Sequence, residues 1–251
     1  MYIINKTLER LMRLFSFFIS KKFKINHKYQ NKNQVTNSDV IVESLKIKNF
    51  NPSYIIDVGC GYGQWTKKLL KIYPSSNYFL FDADKSNSPH LKSLKKKHNN
   101  VEYKICLLSD NIDNYKFYNM GYGSSIFEEQ TSHKRKIENI LSTTLYDQIH
   151  INISKNRNNL IKIDVQGAEL KVLLGLKNLL DTFEVIILEV SVHNYNKDSP
   201  LFNNVIEFMT NRSFKLYDIF DLKRLGKDKS FLLQFDCVFV RNDSNLLDVK
   251  F

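Results

Sequence analysis

Cysteine is scarce and scattered. Cys60, Cys106 and Cys237 are the three in 251 residues, with no C-x-x-C pair and no histidine beside them at ligand spacing. That excludes a disulfide framework and a zinc knuckle and makes reducing cytoplasm the simplest location. H-x-x-x-H and H-E-x-x-H spacings are absent too, so no metal is expected. The uninterrupted apolar stretch near the N-terminus, LFSFFIS, falls well short of the roughly 20 residues that span a bilayer, and it lacks the small-residue cleavage signature of a secretory signal. Acid is nearly missing from the first thirty residues, where Glu9 stands alone.

What is present suits a folded enzyme or binding domain. Apolar residues make up 43% and charged residues 25%, which belongs to the globular class. The formal net charge of +11 favours an anionic partner in principle, yet a coding bias toward Lys, Asn and Ile produces the same surface with no function attached. Residues 1–30 interleave apolar and cationic positions, with Leu8, Leu11, Leu14, Phe15 and Phe18 on one side of a helix. Such a helix would lie on an anionic membrane, pack across the domain or pair with a second chain. QNKNQVTN at 30–37 reads as a linker, so the division is a basic extension over 1–37 and one domain over 38–251.

From Tyr54 onward, strand-like runs alternate with helix-like ones, the pattern of an α/β domain with parallel strands. Strands are expected at 54–58, 78–82, 101–106, 160–164 and 184–190, and helices at 64–73, 88–97, 168–180 and 201–212. FKLYDIF and FLLQFDCVFV, joined only by LKRLGKDKS, should pair antiparallel, because a parallel pair needs a long crossover. The expected fold is a mostly parallel seven-stranded sheet with helices on both faces and an antiparallel C-terminal hairpin, a Rossmann-like methyltransferase shape. Residues 111–159 are the least regular, polar and turn-rich, as expected of a lid or binding loop.

YIIDVGCGYGQW at 54–65 places three glycines after a strand. A dinucleotide fingerprint needs G-x-G-x-x-G, but Gly59 and Gly61 are followed by Gln64, with Gly63 one position early. A Walker loop is excluded because no Gly-Lys-Ser/Thr follows. The surviving pattern suits S-adenosylmethionine, which has no pyrophosphate and whose amino-acid end must lie against backbone. Asp57 ends the first strand, and Tyr62 within the turn is expected, like Asp57 and Asp164, to contact the cofactor. Asp82 ends the next strand, placed to accept from both ribose hydroxyls. In CLLSD at 106–110, Ser109 and Asp110 would meet the adenine edge while a leucine packs on its face, although Ser-Asp is also common turn chemistry.

LIKIDVQGAELKVLLG at 160–175 brings Asp164, Gln166 and Glu169 to the carboxyl end of a buried strand. With IIDVGCGYGQW and TTLYDQI before it and VIILEV after it, this block resembles the FkbM family of S-adenosylmethionine-dependent methyltransferases over about residues 52–240. The resemblance puts Asp57, Gly59, Gly61 and Asp82 on cofactor-binding positions, Asp164, Gln166, Gly167 and Glu169 on the signature block, and Ser124 and Ser125 on a Ser-Ser segment. Cys60-Gly61 stands where Ala-Asn is usual, Asp82 where Glu is commoner, and Gln166 where the family has an acid. The resemblance implies O-methylation of a sugar, glycan or glycolipid-type hydroxyl, with S-adenosylhomocysteine as product.

An alcohol needs a general base as it attacks. Asp164 is the first candidate, followed by Glu189 and His193, with His133 approaching from the lid; Ser124, Ser125, His133, Gln166 and Glu169 are expected on the acceptor side. Either histidine is as readily a solvated surface residue, and Glu169 as readily a complement to its helix dipole. Two other functions compete. An RNA methyltransferase accounts for the positive charge, but no NPPY-like base-flipping motif or RNA-binding module is evident, and KSLKKKH reads as a solvated helix face. A cofactor-binding partner protein without turnover would keep the same loop.

Overall fold

The computed structural model describes residues 38–150, 152, 153 and 155–248. The basic helix, linker and membrane contact read from residues 1–37 lie outside these described residues. No described helix is long and apolar enough to cross a membrane.

In chain order the elements are α1 (Ser38–Ile47), β1 (Tyr54–Val58), α2 (Gln64–Ile72), β2 (Asn77–Asp82), α3 (Ser88–Lys97), β3 (Val101–Ile105), β4 (Leu107–Ser109), β5 (Asn114–Asn119), β6 (Lys136–Thr144), α4 (Leu145–Ile149), β7 (Asn159–Ile163), α5 (Glu169–Leu174), β8 (Phe183–Ser191), α6 (Phe202–Thr210), β9 (Phe214–Leu225) and β10 (Phe231–Arg241). Seven strands form one sheet in the order β3-β2-β1-β7-β8-β10-β9. All neighbours are parallel except β10, which runs antiparallel to both β8 and β9. The strand order reverses between β1 and β7, and a crevice opens at the carboxyl ends of strands at such a reversal.

Alternation along the strands sends successive residues into two separate cores. Ile56, Val58, Ile161, Ile163 and Leu188 pack with Leu145, Val172 and Val205 of α4, α5 and α6. Ile55, Leu80, Leu160 and Ile187 pack with Ile41, Leu69 and Leu91 of α1, α2 and α3. The sheet is thus covered on both faces, which explains why β1 and β7 read as almost continuous apolar runs.

Two expectations change. The segment 111–159 is more regular than its composition suggests: β5 and β6 form an antiparallel ladder, and β4 joins β6 in parallel to give a second, three-stranded sheet. Ile137 and Leu141 of β6 stay exposed, so the apolar positions of that strand do not mark a buried face. The helix expected at 168–180 breaks after Leu174 and continues as a 3-10 turn over Lys177–Thr182. A Cβ at Gly175 would stand 2.2 Å from the Ser109 carbonyl oxygen, so this helix end is pressed against β4.

Candidate active site

The turn after β1 is built for close approach. Gly59, Gly61 and Gly63 all have positive φ, where only glycine is free of strain. At Gly59 a Cβ would lie 1.9 Å from the Asp164 carbonyl oxygen, whereas at Gly61 it would meet nothing within 4 Å. The first glycine therefore seats the turn against the end of β7, and the second faces open space. A cleft of about 490 Å³ lies over this turn, lined by Asp57, Gly59, Gly61, Trp65, Phe81, Asp82, Leu107, Leu108 and Asp164 among others. That volume is within the roughly 300–1,000 Å³ of small-molecule sites.

The aspartates at the strand ends have distinct roles. Asp57 is buried and accepts a 2.6 Å hydrogen bond from the Thr66 hydroxyl, tying β1 to α2. Burial pushes its carboxyl up to about 6 against the lowering influence of Lys162 and Thr66. Asp82 accepts from the Gly61 amide at 2.7 Å with one oxygen and from the Asp84 amide at 2.8 Å with the other. It holds the glycine turn closed and keeps further lone pairs for a diol, because a carboxylate has about four acceptor sites. The residues therefore fit an adenosyl group with an amino-acid tail: a diol acceptor, a backbone cradle without side chains, and the apolar pair Leu107 and Leu108.

Behind Asp164 stands a charged cluster collected from four strands. Lys162, buried in β7 in register with Asp57, donates to Asp164 at 2.8 Å. Burial alone would lower this lysine, but Asp164, Asp236 and Asp57 together hold it above its ordinary value. Burial alone would likewise raise Asp164; the Lys162 and Lys223 ammonium groups and the Gln166 amide override that and bring it to about 2. Gln166 donates through Nε2 to Asp164 at 3.0 Å and also to Glu189, which further accepts from Lys223 and, at 3.3 Å, from Gln234. An amide nitrogen carries two hydrogens and so can serve two carboxylates at once. A glutamate at 166 would add charge where two carboxylates already meet. Gln166 adopts φ 55, and its carbonyl oxygen is held by Ser125 and by Asn196, each at 2.8 Å.

Several of the expected residues are brought together at one cleft. Asp57, Gly59, Gly61, Tyr62, Asp82, Ser124, Ser125, Asp164 and Gln166 all line the cleft. Ser125 nonetheless spends its hydroxyl on the Gln166 carbonyl and the Phe127 amide, and Ser124 spends its own shaping the turn at Met120–Gly121.

Others belong elsewhere. Ser109 is fully buried and donates to Asp110, which is engaged by Lys171 and Tyr115; neither lines the cleft. Glu169 is buried and accepts from the Val165 and Gly167 amides, closing the turn at the start of its own helix. Burial pushes it up to about 7, the amide donors opposing. Glu189 lies beneath the cleft rather than on its wall. His193 is exposed and stacks on Phe231 at 4.2 Å, and His133 is exposed on the loop before β6; neither reaches the cleft.

Lys162, Lys223 and Tyr122 line the cleft and were not anticipated. A lysine between Ile161 and Ile163 in a buried strand was a readable signal, since lysine is almost never buried unless paired. Lys223 carried no such mark.

Residues 48–216, about two thirds of the chain, match the family model for the methyltransferase FkbM domain. No curated protein matches the sequence. Among solved structures, similar chains include the FkbM methyltransferase from Methylobacillus flagellatus (14% identity, TM-score 0.46), with 84% of this chain covering 46% of that one. A precorrin-6y C5,15-methyltransferase from Geobacter metallireducens has 11% identity and TM-score 0.45, covering 84% of this chain and 92% of its own. Fibrillarin from Aeropyrum pernix, in complex with natively bound S-adenosyl-L-methionine, has 8% identity and TM-score 0.47, with 80% and 74% covered. The match to the family model, on a seven-stranded sheet whose glycine turn opens onto a cleft between β1 and β7, leads to one assignment: this chain belongs to the FkbM family of S-adenosylmethionine-dependent methyltransferases.

Proposed function

We propose that the chain methylates a hydroxyl of a sugar, glycan or glycolipid-type acceptor, with Asp164 as general base. The observation that carries this reading is that Asp82 and Asp164, on either side of the glycine turn, line the same cleft. Asp82 would take the ribose hydroxyls, the backbone at Gly59 and Gly61 the amino-acid end, and Leu107 and Leu108 the adenine. When bound, S-adenosylmethionine supplies an electrophilic methyl group. Asp164 is ionised at neutral pH, anchored at one oxygen by Gln166 and at the other by Lys162. Its remaining lone pairs can accept a hydrogen bond from the acceptor's hydroxyl; a carboxylate held at about 2 is a weak base, so it takes the proton as methyl transfer makes that oxygen acidic. Lys223 places a positive charge on the same wall, where oxygen becomes electron-rich during proton loss.

Charge supports a neutral acceptor over RNA. The cleft is lined by Asp57, Asp82, Asp84 and Asp164 against Lys162 and Lys223, an acidic excess that disfavours a phosphodiester backbone.

The cofactor site is tested by calorimetric titration with S-adenosylhomocysteine. Asp82→Ala is expected to weaken binding at least about tenfold, the loss of one charge-assisted hydrogen bond; unchanged affinity would remove Asp82 from the site. Asp164→Asn should lower kcat by about 10²–10⁴-fold while leaving the affinity for S-adenosylhomocysteine within a few fold. Transfer of a tritiated methyl group to a panel of glycosides measures this. Undiminished turnover would discard Asp164 as the base.

A further inference from the structure

The cleft is roofed by a feature that none of the motifs above explains. Gly61-Tyr62-Gly63 follows β1, and Gly121-Tyr122-Gly123 follows β5; all four glycines have positive φ. Four of the chain's eight glycines thus present two tyrosines. At Gly61 and Gly121 an added Cβ would meet nothing within 4 Å, so those glycines serve backbone conformation and not close packing. The two turns come from opposite walls, and their tyrosine rings meet edge to face with centroids 6.0 Å apart. Tyr122 is 78% exposed and Tyr62 36%. On its other side Tyr62 rests on His90, with centroids 4.5 Å apart, which backs that ring and leaves Tyr122 the freer of the two.

Holding two aromatic rings at the mouth of a cleft, with one almost wholly in water, forgoes the burial that normally accompanies them. What singles this pair out is its place, since both rings line the cleft itself. We propose that Tyr62 and Tyr122 are the acceptor-binding pair of this enzyme, parting to clasp a neutral pyranose ring between them and present its hydroxyl to Asp164. The inference rests on the sugar-hydroxyl reading above and adds the residues that select the ring.

Three observations choose the occupant. The faces of the two tyrosines offer apolar contact, which suits the C–H face of a saturated ring. Gln64 and Asn87 add neutral polar groups to the lining, which suit hydroxyl substituents. The acidic excess beneath argues against an anionic ring. Contact on both faces at about 3.5–4.0 Å each needs the ring centroids to move from 6.0 Å to roughly 7–8 Å and one ring to rotate from the present 81° toward parallel, a change available to the more exposed Tyr122 on its glycine-flanked turn. Ser125, bonded to the Gln166 carbonyl, fixes the far end of the second turn, so motion at Tyr122 need not disturb Asp164.

The test is saturation-transfer NMR on full-length protein saturated with S-adenosylhomocysteine. The probes are methyl α-D-glucopyranoside, methyl β-D-galactopyranoside and methyl α-L-rhamnopyranoside, with phenol as the flat aromatic comparator. The expected result is saturation of ring C–H protons of at least one glycoside. It should fall about tenfold in Tyr122→Ala and persist in Tyr122→Phe, which keeps the ring, while S-adenosylhomocysteine affinity changes less than twofold. Undiminished saturation in Tyr122→Ala would overturn the pair's role even if glycosides bind and are methylated, leaving the sugar reading intact. Saturation of phenol alone, or of no probe by protein that binds S-adenosylhomocysteine, would overturn both the pair's assignment and the sugar class. Failure of S-adenosylhomocysteine to bind would instead locate the fault in the cofactor site.

Discussion

Gly59→Ala is expected to abolish S-adenosylhomocysteine binding and to destabilise the fold by at least about 3 kcal/mol, among the larger losses seen for single substitutions. Gly59 has φ +74, and holding alanine in the left-handed region costs about 1–3 kcal/mol by itself. The larger problem is space. The added methyl would sit 1.9 Å from the Asp164 carbonyl oxygen and 2.8 Å from its carbon, and backbone cannot swing aside as a side chain does. Relief requires the ends of β1 and β7 to part, at the expense of the Asp164 amide's 2.9 Å bond to the Val58 carbonyl. Gly61→Ala is the matched comparison: its φ is also positive, but its methyl meets nothing, so only the conformational cost of about 1–3 kcal/mol should appear. Urea unfolding and calorimetry of both variants separate the two effects. Wild-type affinity in Gly59→Ala would mean that the cofactor does not depend on this turn.

Lys162→Met should cost about 3–5 kcal/mol at pH 8, the range for removing one member of a buried ion pair. Its ammonium is a buried cation among Asp57, Asp164 and Asp236, and methionine matches its volume without its charge. The pH dependence identifies the cause. Asp57 and Asp236 are each raised to about 6, chiefly by burial, so between about pH 4 and 6 the folded protein binds more protons than the unfolded chain. Their contribution therefore falls as pH rises through that window. Asp164 works the other way: held at about 2, it adds stability above its unfolded pKa that is lost as pH falls toward 2. Without Lys162 that contribution shrinks and the other two carboxyls move higher, so the variant should lose more at pH 8 than at pH 5. Denaturation midpoints at the two values measure the difference, and equal losses would show that packing, not charge, keeps a lysine in β7.

The predictions draw on different depths of the same molecule. The β1 turn was legible because its chemistry is local: glycine spacing excludes other cofactors, and an acid closing each of two successive strands lands on one crevice once the strands are parallel. The helix at 64–73 and the C-terminal hairpin were legible for the same reason, since periodicity and connection length are properties of neighbouring residues. Ser109, Asp110 and Glu169 were misplaced because a polar residue at a strand end reads alike whether its side chain faces the crevice or folds back onto its own turn. Gln166 shows the converse. As a letter it was the loss of an expected acid, and in space its amide joins Asp164 to Glu189.

The sequence by itself determined the family resemblance, the strand and helix alternation, and the glycine turn with Asp57 and Asp82, because each motif is local and its conformation is enforced by neighbouring backbone. Only the tertiary structure decided which charges share a buried cluster and which rings meet above the cleft. Lys162, Glu189, Lys223 and Asp236 come from four strands, and Tyr62 lies 60 residues from Tyr122. Their interaction depends on register and strand order, through which a low-dielectric interior couples charges that are remote along the chain.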